Sequence, residues 1–504
     1  MFKLISAIRY ALSINPKPER VNMRKLLLSV LVLFIFSCRP QIADIHPESE
    51  SYIKRVVILY TNDEHGWMEP NDKNGGAPGL MGAWKHNLHF SFDGPFLVLS
   101  GGDMWTGPAI STLSFGKSMV EVMNALGYSA AALGNHEFDF SVDTLRKRLS
   151  EMDFPILAAN IREKKNGNRA DFTLPYIIKE VNDVSIGIVG LTTLSTPFTT
   201  KPANVSDYEF TSYAEELRKI VPRVKSAGAE LIIVIGHLCH DELVELAPVA
   251  HELGIPLIGG GHCHQLFEEQ YDGVTLIQSG SQYDNYVEVE LFFDDLADTI
   301  ISLSSSLHAN TDSILDSSVE SVVKKWRNRL DKTLSSVIGY ASADIPQKSP
   351  EMQNMITDSW RFVYPAAQIA LTNTGGIRQS IPKGNITIEM IFGLLPFQND
   401  IVELNLTGRE LLDCIHADIV FSGMVKNTDG YLMSDGRQMN DDSTYTVLIN
   451  DYLYSRPDLN YKKYDKEPYD TSINYRQPLI DWLKYVQTSV ENPINRYLDT
   501  HSRR

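Results

Sequence analysis

From about residue 55 to residue 300, short uninterrupted apolar runs alternate with longer stretches in which apolar positions recur every three or four residues. The runs include "RVVILYTND", "PFLVLSGGD", "YSAAALGNHE", "FPILAANI", "VSIGIVGLTT", "AELIIVIGH", "IPLIGGGH" and "VTLIQSGS". Four to six consecutive apolar residues, rich in Val, Ile and Leu, suit strands buried on both faces. "SVDTLRKRLSEM" and "TSYAEELRKIVPRVKSAG" have helical spacing, the second ending at Gly228 as a C-cap does. This alternation predicts an α/β layered domain over residues 55–305. A charged amphipathic helix, "SVESVVKKWRNRLDKTLSSVIG", follows and is predicted to end at Gly339 within a linker, 306–339. A smaller α/β domain is expected over 340–490. It opens with the helix "EMQNMITDSWRFVY", continues with strands, turns and many Tyr, and closes with the helix "PLIDWLKYVQ".

Composition changes this picture little. The chain has 504 residues, 43% of them apolar and 22% charged, ordinary values for globular domains. A net charge of −17 argues against binding to a nucleic-acid polymer. It does not exclude phosphate substrates, because a bound cation reverses the local field.

The N-terminus reads as a leader, 1–38, followed by a polar tether, 39–54. Arg24 and Lys25 precede an apolar stretch from Leu26 to Phe36, too short to span a bilayer and built like a secretory signal. It resembles a bacterial lipoprotein signal with Cys38 as the lipidated residue, although Phe36 is bulkier than usual. Met23 is an alternative start. The expected location is outside the cytoplasm, on a membrane facing the periplasm or cell surface. Cys239, Cys263 and Cys414 then remain, an odd and scattered trio that predicts no disulfide framework.

The polar residues that follow the apolar runs carry the chemistry. Asp63 and His65 follow the first run, Asp103 the second, and Asn135, His136 and Asp139 the third; His237 follows "LIIVI", and His262 and His264 follow "IPLI". One such residue is most often a satisfied loop side chain. Five groups in order at strand ends, mostly beside glycine, predict convergence on one ligand beyond the carboxyl ends of the strands. Oxygen and imidazole donors without a required thiolate suit Mn²⁺, Zn²⁺, Fe²⁺ or Co²⁺. Cys263, between two histidines of an extended segment, is expected to face away and pack.

"YTNDEHG", "LSGGD", "GNHEFD", "IGH" and "GGGHCH" resemble, in order, the five blocks of the calcineurin-like metallophosphoesterases. With "NTGGIR" and "LLPFQND" they resemble the exported 5′-nucleotidase/UDP-sugar hydrolase group over residues 54–490. The resemblance implies a four-layer α/β/β/α metallophosphoesterase domain, a smaller 5′-nucleotidase-type C-terminal domain and two divalent metal ions. It implies that Asp63, His65 and His264 hold one ion and that Asn135, His237 and His262 hold the other, with Asp103 bridging. His136, oriented by Asp139, would face the substrate rather than a metal. Phosphate would leave after in-line attack by a metal-activated hydroxide.

For the second domain, the resemblance implies that Asn373 and Arg378 contact the substrate and that Phe397 stacks on a nucleobase. A second stacking aromatic usually lies in a glycine-rich turn after an N-D-[FY]-L strand. Here "NDYL" (450–453) is present and the turn is not, so Tyr461 or Tyr464 is the candidate. Lys348 stands roughly where the family has a phosphate-contacting Arg. The expected activity is phosphate release from nucleotides. The alternatives are the same chemistry on 2′,3′-cyclic nucleotides, UDP-sugars or a non-nucleotide phosphomonoester, and more remotely a non-catalytic surface binding protein.

Overall fold

A computed structural model describes residues 52–311 and 314–504. The leader with Cys38, and the tether up to residue 51, lie outside the described residues.

Twelve strands build two mixed sheets in the first half. In chain order they are β1 (Ile53–Thr61), β2 (Phe96–Ser100), β3 (Ala130–Ala132), β4 (Ile156–Leu157), β5 (Tyr176–Val181) and β6 (Val184–Leu191). Then come β7 (Leu231–Gly236), β8 (Leu257–Gly259), β9 (Leu266–Tyr271), β10 (Val274–Ser279), β11 (Asn285–Asp294) and β12 (Thr299–Ala309). One six-stranded sheet runs β12-β11-β1-β2-β3-β4 and the other β9-β10-β8-β7-β6-β5. The strands that lead into the polar loops pair in parallel: β1 with β2, β2 with β3, β6 with β7, and β7 with β8. Their carboxyl ends therefore share one edge of the fold.

The apolar runs are continuous because each strand buries both faces. In β1, Val56, Ile58 and Tyr60 join residues of the opposite sheet, such as Ile188 and Ile233, in a core between the sheets. Val57 and Leu59 face the other way, into a core closed by the helices α1 (Gly76–Asn87) and α2 (Lys117–Leu126). On the outer face of the second sheet, α3 (Tyr213–Ser226) and α4 (His240–Leu253) cover Val189, Ile232 and Val234. The layers are thus α/β/β/α, as expected.

The helix α5 (Ser317–Leu334) lays Val319, Val323 and Trp326 on the first core. It stops short of the predicted end. Gly339 belongs to the strand Val337–Ala341 and pairs with Ile386, because β-branched Val337 and Ile338 favour extended backbone. Beyond it, a five-stranded sheet carries α6 (Pro350–Val363) and α7 (Gln477–Val486) on one face. The strand Ile369–Asn373 ends at the candidate site and lies between Ile419–Ser422 and Thr444–Asn450.

Candidate metal and substrate site

The loops after the parallel strands bring the predicted residues together. Two donor groups form: Asp63, His65 and His264, and Asp103, His237 and His262. In each, one ligand atom per residue lies within 4.8 Å of the others. Asn135 joins the second group, its Oδ1 3.1 Å from Nε2 of His237. Asp103 stands between the groups, with Oδ2 3.0 Å from Nε2 of His237 and 4.0 Å from Nε2 of His65.

Close backbone packing makes this possible. A Cβ on Gly134 would sit 2.2 Å from Oδ1 of Asp103, so only glycine lets the Asn135 loop approach the Asp103 loop. The backbone is strained elsewhere: Asp63, His65, Asp103, His262 and His264 all have positive φ, between 46° and 73°. Such conformations cost non-glycine residues about 1–3 kcal/mol each and gather where function requires them.

The hydrogen bonds fix which nitrogen faces the centre. Nδ1 of His65 donates to the carbonyl of Thr106 at 2.9 Å, and Nδ1 of His237 donates to that of Gly101 at 2.8 Å. A carbonyl can only accept, so in the neutral ring each Nε2 keeps its lone pair. Nε2 of His65 then meets Nε2 of His264 at 3.0 Å, and Nε2 of His237 meets two acceptor oxygens. Inward-facing lone pairs of this kind call for a cation at their centre, and the donor set fits a divalent metal of intermediate hardness.

The protonation tendencies of three of the four histidines fit the same need. Burial, with the Arg378 charge beside it, lowers the pKa of His65 and brings that of His264 down to about 4. Burial and the His237 charge bring that of His262 down to about 3. These three rings are neutral, the form that ligates metals. Burial opposes charge on His237 too, but the Asp103 carboxylate outweighs it and pushes the pKa up to about 10, so without a cation its Nε2 carries a proton towards Asp103 Oδ2, 3.0 Å away, in the place a metal would take.

His136 is placed apart. Its Nδ1 lies 2.8 Å from Oδ2 of Asp139, whose Oδ1 accepts from Thr200 Oγ1 at 2.8 Å. Burial disfavours the imidazolium, yet the carboxylates of Asp139 and Asp103 overcome it and raise the pKa. Glu137 supports the neighbourhood: its carboxyl accepts the backbone N–H groups of Asp103 (3.0 Å), Met104 (2.7 Å) and Gly134 (2.8 Å).

The second half closes a cavity of about 300 Å³ over these groups. Asn373, Arg378 and Phe397 line it together with Asn135, His136 and His264. Phe397 stacks on His136, ring centres 5.3 Å apart and planes 23° from parallel. Nη2 of Arg378 lies 3.3 Å from Nε2 of His65.

Three expectations are corrected. Tyr461 is fully buried among Leu411, Cys414 and Leu453 and cannot face a ligand in the cavity. Tyr464 hydrogen-bonds Asp413 at 2.7 Å, and neither it nor Lys348 lines the cavity. The third concerns cysteine: Cys263 does not pack as a free thiol but forms a disulfide with Cys239, Cα atoms 5.2 Å apart. Cys414 is buried and free, as an odd trio requires. Sequence reasoning passed over Tyr452, which lines the cavity and donates to the carbonyl of Phe198 at 2.6 Å. Its signal was the "NDYL" motif itself.

Residues 335–463 match the family model of the 5′-nucleotidase C-terminal domain. The chain is 25% identical to a 5′-nucleotidase of Vibrio parahaemolyticus, over 96% of both chains. It is 26% identical to endonuclease YhcR of Bacillus subtilis over 82% of its own length, and spans 39% of that longer protein. Its fold matches the crystal structure of a 5′-nucleotidase precursor from Thermus thermophilus with a TM-score of 0.74, at 22% identity, covering 89% of this chain and 98% of that one. The chain is therefore a relative of the 5′-nucleotidases, and the resemblance drawn from its motifs holds.

Proposed function

We propose that the chain is an exported, lipid-anchored phosphohydrolase of 5′-nucleotidase type that uses two divalent metal ions to release phosphate from nucleotides. One observation carries the reading: seven metal-type donors cluster in two adjoining groups, and four of them (Asp103, Asn135, His262 and His264) line one cavity with the His136–Asp139 pair and the Asn373–Arg378–Phe397 set. Residues 55–305 supply the chemistry, 306–339 connect, and 340–490 supply recognition.

Asp63, His65 and His264 hold one ion, and Asn135, His237 and His262 the other, with Asp103 shared. A carboxylate suits the shared position because its two oxygens can serve different cations while its charge offsets their repulsion. Bound there, the ions supply Lewis acidity that acidifies water and neutralises phosphoryl charge. His136 does the proton work. Asp139 holds its Nδ1, so Nε2 is directed to the cavity and donates a proton to the leaving oxygen. Arg378 offers a planar fork to substrate oxygens, and Phe397 a flat face to a base. The metal identity is among Mn, Zn, Fe and Co.

Export is supported by the leader pattern and by the Cys239–Cys263 bond, since disulfides persist in oxidising compartments. No helix among the described residues is long and apolar enough to cross a membrane. The proposed attachment is through Cys38, which the lipoprotein-like leader pattern supports.

A second reading, hydrolysis of a non-nucleotide phosphomonoester, is favoured by the missing half of the aromatic clamp: neither Tyr461 nor Tyr464 lines the cavity opposite Phe397. The two readings separate on hydrolysis by the soluble form starting at Arg39, stripped of metal and resupplied with Mn²⁺, followed as phosphate release and, for the two diester substrates, by chromatography of the products. The substrates are AMP, ADP, ATP, UDP-glucose, 2′,3′-cyclic AMP and an aryl phosphate. Metal-restored release favouring the adenine nucleotides establishes the first; turnover of the aryl phosphate alone establishes the second.

A further inference from the structure

We infer that the Cys239–Cys263 disulfide is a positioning tie for metal binding, clasping the loop of His237 to the loop of His262 and His264. The inference rests on the metal-site reading above.

The two cysteines sit among the donors. Cys239 is two residues past His237 and caps the N-terminus of α4, where its backbone N–H donates to Glu242 Oε2 at 2.9 Å. Cys263 lies directly between His262 and His264 and lines the cavity. The bond therefore joins the element that fixes one donor to the residue linking two others.

The flanks of the second loop are already fixed. Gly261 N–H donates to the carbonyl of Leu238 at 2.9 Å, and buried Gln278 donates to the carbonyls of Leu238 (2.8 Å) and Gly261 (2.6 Å). On the far side, Gln265 N–H donates to Gln278 Oε1 at 3.2 Å. Between these anchors, His262 and His264 both take left-handed backbone, φ 73° and 54°. Unfavourable conformations on both sides of one residue relax unless something holds that residue. His262 is half-buried, its N–H donates to Asp63 Oδ2 at 2.9 Å and its Nε2 lies 2.9 Å from Ser195 Oγ, whereas Cys263 and His264 are exposed, so core packing does not hold the loop beyond His262. There the disulfide ties the chain back to Cys239. Because the flanking anchors survive its loss, the loop should stay folded while the imidazoles lose their aim.

The test is calorimetric titration of Mn²⁺ into the metal-stripped soluble protein, comparing wild type with the double variant Cys239→Ser/Cys263→Ser. The melting temperature of each metal-free protein is measured alongside. Groups that orient metal ligands typically change affinity 10–100-fold, so the expected result is a Mn²⁺ Kd raised at least tenfold in the variant. A purely structural cross-link would lower the metal-free melting temperature and leave Kd within twofold; that result overturns the inference. If the variant does not fold, folded wild type is reduced with a water-soluble phosphine. The phosphine becomes its oxide, taking the oxygen of one water, and the disulfide becomes two thiols. Mn²⁺ is a poor thiol partner, so its affinity should fall equally; unchanged affinity again overturns the inference. Failure of oxidised wild type to bind Mn²⁺ at all would instead sink the metal-site reading.

Discussion

Nδ1 of His136 lies 2.8 Å from Oδ2 of Asp139, one helical turn further along the same short segment. The pair spends its hydrogen bond on orientation and leaves Nε2 to the cavity. His136→Ala should therefore keep Mn²⁺ binding and lower kcat by about 10²–10⁴, the usual worth of a positioned acid. Steady-state kinetics beside a metal titration checks this. Turnover within a few-fold of wild type would remove His136 from the proton step.

Phe397 covers His136 with a nearly parallel ring. An aromatic stack is worth about 0.5–1.5 kcal/mol. Phe397→Ala should raise KM for AMP by roughly 2–10-fold, on that scale, and leave the KM of a small alkyl phosphate unchanged. Equal effects on both substrates would mean the ring serves the His136 pocket rather than a base.

Arg378 reaches across the cavity to within 3.3 Å of His65. Hydrogen bonds to charged groups contribute about 1.5–3 kcal/mol, so Arg378→Ala should raise KM by roughly 10–100-fold. Arg378→Lys keeps the charge without the planar fork and should recover only part of the loss. Full recovery by Lys would show that charge alone is read there.

Asp316 caps α5, accepting from Ser318 N–H at 3.0 Å and Val319 N–H at 3.1 Å, and pairs with Lys85 Nζ at 2.7 Å. Burial alone would raise its pKa, but these partners hold it down to about 2, below the usual carboxylate value of 3.8. A depressed folded-state pKa stabilises the fold above the unfolded value and stops doing so as pH falls towards 2. Asp316→Ala should cost about 1 kcal/mol at neutral pH. Denaturant melts of both proteins should converge between pH 4 and 2, the interval spanned by the two pKa values.

How much of this was legible in the sequence depended on how local the cause was. The central strands of the first half were plain because each buries both faces, which leaves unbroken apolar runs such as "VVILY". The donors were plain because sheet topology requires strand-end residues to meet. Gly339 misled because a glycine after a helical pattern is usually a cap, whereas β-branched neighbours and pairing with Ile386 make it a strand residue here. Tyr461 misled because burial among Leu411 and Cys414 is a tertiary fact with no local mark. The disulfide escaped for the same reason: Cys239 and Cys263 are 24 residues apart and meet only once two strands lie side by side.

The central claim is that this chain holds two metal ions with Asp103 between them. Its most direct test is the count of Mn²⁺ retained by the stripped and reloaded soluble protein, measured by elemental analysis beside Asp103→Asn. The account predicts two ions per wild-type chain, with occupancy of both lost or weakened together in the variant. Fewer than two ions in wild type, or unchanged binding in the variant, would contradict it.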